Sequence, residues 1–164
     1  MDGQFFTSLE KGLAVVNKVC TAIACVLLIG LMVCVNTDLF LRFFFRSPIV
    51  GMTEITEIFL LYITFLGTAW VYQQDGHVVV DLLLYELYEK SKRILMLINH
   101  GFVGLICLIL IYFGAVTTID HMQRGVRNPT ILETPIALVI VIIPIGGAIL
   151  FLEVLVKIRK TLKK

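Results

Sequence analysis

Four stretches without a single Asp, Glu, Lys or Arg make up about half of this chain: Val19 to Thr37, Ile58 to Gln74, Ile94 to Ile119 and Thr134 to Leu152, each bracketed by charge. A hydrocarbon core of roughly 30 Å needs about 20 apolar helical residues, so every stretch is a candidate crossing. In lipid the backbone must satisfy its own polar groups, which leaves helices or closed barrels, and a barrel would show alternating segments of about ten residues. These runs are continuous, so helices are expected. With 59% hydrophobic and 16% charged residues and a mean hydropathy of +0.95, the chain has too little polar surface to cover a water-soluble globule. The expected fold class is an all-α integral membrane protein, one four-helix domain over residues 1–164 with crossings at about 19–45, 53–75, 94–120 and 135–156.

Asp2 and Glu10 dilute the positive region that a cleavable signal needs, and the run that follows has full spanning length, so the first helix is expected to stay. On a helical wheel Phe5, Phe6, Leu9, Gly12, Leu13 and Val16 share one face with Lys11 and Lys18 opposite, which fits an interfacial lead-in helix. Val80 to Arg93 reads as a second amphipathic helix, with Val80, Leu83, Leu84 and Leu87 on one stripe and Glu86, Glu89, Lys90 and Arg93 on another. Lys and Arg divide unevenly: two before the first crossing, three in the middle connection and five in the tail face four in the other connections, Arg42, Arg46, Arg124 and Arg127. The excess places both termini in the cytoplasm. The charge of +2 is thus a topology signal, and nothing in its distribution points to nucleic acid.

The outer connections are short and carry turn chemistry. Ser47-Pro48 and Thr134-Pro135 each pair a candidate N-cap with proline at the first helical position, and Gly125 with Asn128-Pro129 marks a turn. The four cysteines, Cys20, Cys25, Cys34 and Cys107, lie inside apolar runs without metal-ligand spacing, as small buried hydrophobes do. An ionised residue at the bilayer centre costs about 2.5 to 3.5 kcal/mol on insertion scales and would be a functional candidate. None is expected there. A carrier that couples ions by itself needs such a group or a broken helix, and Pro144-Ile145-Gly146-Gly147 is the one stretch resembling a break: Pro144 frees the Ile140 carbonyl, and Gly146 and Gly147 permit close helix contact.

At the outer end of the first helix Asp38, Arg42 and Arg46 recur every four residues, so Asp38 can pair with Arg42. Glu54 and Glu57, three apart, open the second helix, where acids suit the macrodipole. These charges either pair and cap locally or face another chain. Trp70 and Tyr72 fit an interfacial aromatic belt. His77 and His100 both lie towards the cytoplasmic side, so a haem held between two axial histidines is geometrically conceivable, making a haem-bearing membrane anchor of an oxidoreductase the rival reading. His77, however, sits in the polar string Gln73-Gln74-Asp75-Gly76-His77.

In order and spacing the chain resembles the small membrane (Q, DctQ-like) subunit of tripartite ATP-independent periplasmic (TRAP) transporters, in its unfused form. The residues that carry the resemblance are Asp38-Leu39-Phe40-Leu41-Arg42 with Arg46 and Pro48, the Glu54 and Glu57 pair, Gly67-Thr68-Ala69, Asp75-Gly76-His77-Val78-Val79-Val80-Asp81, Thr134-Pro135, and Ile143-Pro144-Ile145-Gly146. Many members carry tryptophan shortly before the paired acids, where this chain has Met52-Thr53.

The resemblance implies a sodium-driven importer of organic acids in the bacterial inner membrane, sialic acid among them, fed by a periplasmic substrate-binding (P) protein. Substrate and sodium sites would then belong to the large (M) subunit. This chain would be a non-enzymatic scaffold without a cofactor of its own, with membrane lipids and those two proteins as partners. On that reading Arg42, Arg46, Arg124 and Arg127 are candidates for docking the binding protein, and Asp38, Glu54 and Glu57 for helix orientation or large-subunit contact. Asp75, His77 and Asp81 would fix the cytoplasmic bend, and Pro144, Gly146 and Gly147 a helix kink.

Overall fold

A computed structural model describes residues 2–47, 49–74, 89–130 and 132–163. Its helices are α1 (Asp2–Phe45), α2 (Met52–Gln73), α3 (Glu89–Arg124), the short α4 (Ile136–Ile140) and α5 (Ile142–Lys163). Among the described residues, four helical stretches are long and apolar enough to cross a membrane: Glu10–Phe45, Met52–Gln73, Ile94–Arg124 and Ile136–Leu162. α1 packs chiefly on α2, α2 on α5 and α5 on α3, so α2 and α5 form the middle of the bundle and α1 and α3 its flanks.

The expected lead-in helix is no separate element, because α1 runs unbroken from Asp2 to Phe45. Its packed face recurs in alternating steps of four and three at Leu13, Asn17, Cys20, Ala24, Leu27, Leu31, Cys34 and Asp38, each buried or half-buried. A repeat of 3.5 residues is the seam of a left-handed helix pair. α3 repeats the pattern at His100, Val103, Cys107, Leu110, Gly114, Thr117 and His121. Outside the seams stand large apolar side chains such as Ile29, Met32, Phe43, Phe102 and Ile109. Small and polar residues face inward because lipid gives apolar side chains no reason to leave it, so close backbone approach decides what packs.

Of the expected surface helix over Val80 to Arg93, residues 80–88 lie outside the described residues, and from Glu89 the backbone is already α3. Two expected caps are corrected. The second crossing starts at Met52, with Gly51 as its N-cap, and not at Ser47-Pro48; Gly51 is left-handed (φ 82°) and no side chain caps the helix. The position suits glycine, since a Cβ there would stand 2.5 Å from Leu132 Cδ1. The fourth crossing starts at Ile136 behind Pro135, again without a side-chain cap, because the Thr134 hydroxyl is engaged elsewhere.

That fourth crossing is interrupted at Val141, between α4 and α5. Proline at 144 supplies no amide hydrogen to Ile140, and the ladder fails in that turn. α2 covers the break: the Tyr62 hydroxyl donates to the Leu138 carbonyl at 2.6 Å. Just beyond, Gly146 lies so close to α2 that a Cβ would meet Phe65 Cβ at 2.9 Å and the Phe65 carbonyl at 3.0 Å. Only glycine permits this approach.

Candidate functional site: two polar rims

Polar side chains gather at both ends of the bundle. At the end holding the two short connections, Asp38 on α1 accepts the Ile49 amide at 2.9 Å and pairs with Arg42 at 3.0 Å, tying the first connection back onto its helix. α1 itself stops at Arg46, whose φ of 50° leaves the helical region. On α2 the buried Glu54 collects the second connection: its Oε1 accepts Thr130 Oγ1 at 2.6 Å, Asn128 Nδ2 at 3.4 Å and the Thr134 hydroxyl. That connection leaves α3 through left-handed Gly125 (φ 59°), with the Val126 amide donating to His121 O at 3.2 Å, a helix-ending motif. It closes on itself through Asn128 N to Thr134 O at 3.0 Å and Ile136 N to Val126 O at 3.3 Å.

The acids and bases of this rim have separate surroundings. Glu54 is buried under the loop, whereas Glu57, one turn on, is exposed, so the two acids do not act as a pair. Among the arginines, Arg124 pairs with Asp120 at 2.8 Å and Arg127 with Glu133 at 3.7 Å. The side chains of Arg42, Arg124 and Arg127 remain mostly exposed despite their pairing. Local exposed pairs of this kind contribute little stability. Their guanidinium groups stay available to an outside partner.

At the end that carries the chain termini lies a cluster the sequence did not reveal. Asn17 of α1, wholly buried, donates through Nδ2 to Glu153 Oε1 of α5 at 2.6 Å and to Gln73 Oε1 of α2 at 3.3 Å. The Tyr72 hydroxyl bonds His100 Nδ1 of α3, and Lys157 Nζ donates to the Tyr72 carbonyl while standing 4.8 Å over the Tyr72 ring. Lys160 pairs with Glu10. Four crossings are thus joined by side-chain hydrogen bonds at one level. Tyr72, expected in an aromatic belt, is buried in this knot, while Trp70 is exposed. Neither residue stands out in the sequence, because Glu153 follows directly on an apolar run, where a charge is ordinary, and Asn17 lies just before the first run.

Asp75, His77 and Asp81 lie outside the described residues. The haem reading gains no support: its second histidine, His77, is among the residues not described, and His121 stands at the opposite end of the bundle from His100. Among the described residues no group of three His, Cys, Asp or Glu side chains is placed to hold a metal ion.

Four apolar crossings tied by polar side chains at each end define a multi-pass α-helical membrane protein. The family model described as "Tripartite ATP-independent periplasmic transporters, DctQ component" matches residues 31–164, and the chain belongs to that family. A curated protein of Haemophilus influenzae, named "Putative TRAP transporter small permease protein", is 29% identical over 114 residues, covering 70% of this chain and 67% of the relative.

Proposed function

We propose that the chain is the small membrane subunit of a sodium-driven, binding-protein-dependent importer of organic acids. It acts as a scaffold beside a large transporting subunit and as part of the docking surface for a periplasmic binding protein. The observation that carries this reading is the family match over residues 31–164, joined to the braced rim that exposes Arg42, Arg124 and Arg127. Glu54 and Asp38 hold the two connections in fixed conformations, so those arginines offer an acidic partner a preorganised surface. Both termini lie in the cytoplasm on this reading, as the Lys and Arg distribution requires, and the inner membrane of a bacterium is its site.

The buried polar side chains among the described residues, Asn17, Asp38, Glu54 and Glu153, are engaged in structural hydrogen bonds, so the sodium and substrate sites are assigned to the large subunit and no catalytic chemistry to this one. Sialic acid is the first cargo to test among organic acids. Reversing the charge of both Arg42 and Arg46 should weaken reconstituted uptake while the two-subunit complex survives. Unchanged uptake would remove the docking role.

A further inference from the structure

The exposed faces of the crossings differ in chemistry. On α3 the outward positions are Ile94, Ile98, Phe102, Leu105, Ile109 and Phe113, and α1 is similar with Val15, Val19, Val26, Ile29, Met32 and Val33. Such faces suit acyl chains. On α2, positions 53, 57, 60, 64, 68 and 71 are all exposed and fall within about 80° of one another on a helical wheel. They read Thr53, Glu57, Leu60, Thr64, Thr68 and Val71, roughly 100° round the helix from the buried Glu54, Ala69 and Tyr72.

A carboxylate and three hydroxyls make this a polar outward stripe, on one of the two central helices of the bundle. The Thr64 and Thr68 hydroxyls bond the Leu60 and Thr64 carbonyls behind them, so they stand short and close to the helix, leaving room for another backbone to approach. Glu57 has no ion-pair partner among the described residues. Lipid is a poor neighbour for the Glu57 carboxylate.

We infer that this α2 stripe is a docking seam for one transmembrane helix of the large subunit, a helix that presents a basic side chain opposite Glu57 and small residues opposite Thr64 and Thr68. The inference rests on the proposed function and adds to it the face used and the chemistry of the partner. A second copy of this chain is the wrong occupant on electrostatic grounds, because a two-fold axis along the seam would set Glu57 against Glu57. A basic partner removes that repulsion and satisfies the acid.

The test is capture of the co-expressed large subunit by this chain, purified in mild detergent. The double variant Thr64→Trp with Thr68→Trp should accumulate in the membrane and retain about tenfold less large subunit, as lost close packing of helices predicts. Glu57→Lys should also reduce capture, and Glu57→Gln less so, whereas Ile109→Trp on the lipid face of α3 should capture as the unaltered chain does. A photo-crosslinker on Thr64→Cys, a change too small to disturb folding, should yield an adduct with the large subunit. Full capture by the double tryptophan variant, or an adduct with lipid or a second copy, would overturn the seam alone. Failure of the unaltered chain to capture any large subunit would overturn the proposed function beneath it.

Discussion

Asn17 and Glu153, 136 residues apart, share a hydrogen bond of 2.6 Å with both side chains buried. It fastens the first half of α1 to the middle of α5, where Gln73 and the Tyr72–His100 pair bring in the other two crossings. A buried polar group without its partner costs about 1 to 3 kcal/mol, whereas replacing both partners by apolar groups of similar shape is close to neutral. Asn17→Leu and Glu153→Leu should therefore each lower the thermal midpoint of the detergent-solubilised chain by several degrees. The double variant should be more stable than either single one. Additive losses in a thermal-shift series would show that the two residues are not coupled.

Glu54 holds the second connection through Asn128, Thr130 and Thr134. Glu54→Ala should release that loop, read as faster amide exchange over 126–135 with α3 and α5 still protected. Glu54→Gln, which keeps one oxygen acceptor, should exchange at an intermediate rate. Exchange in the alanine variant equal to that of the unaltered chain would mean that the loop's own hydrogen bonds suffice.

Gly146 is the point where α5 meets the backbone of α2. A methyl group there must push Phe65 or its carbonyl aside, and overpacking of this kind costs about 1 to 3 kcal/mol. Gly146→Ala should lower the thermal midpoint, and Gly146→Leu should prevent accumulation in the membrane. Gly12 has open space around it, so Gly12→Ala serves as the control and should leave the midpoint near that of the unaltered chain.

The crossings were legible because absence of charge over a full bilayer thickness admits few other readings. The seams were not, since α1 buries Asn17, Ala24 and Asp38 while turning Val26, Ile29 and Phe43 outward. In lipid the apolar pattern says little about which face packs. Ser47 and Thr134 looked like caps by local rules, but the first stands outside α2 and the second gives its hydroxyl to a carboxylate 80 residues away in sequence. The pairing of Asp38 with Arg42 was readable because four residues bring two side chains together on any helix. Glu54 and Glu57 resembled a pair for the same reason, and only the neighbouring loop distinguishes them.

The most direct test of the account is uptake of a labelled organic acid, sialic acid first, into liposomes under a sodium gradient with the binding protein outside. This chain with its co-expressed large subunit should transport, the large subunit alone should transport poorly, and this chain alone should not transport. Transport by this chain alone, or full activity without it, would contradict a scaffold and docking subunit.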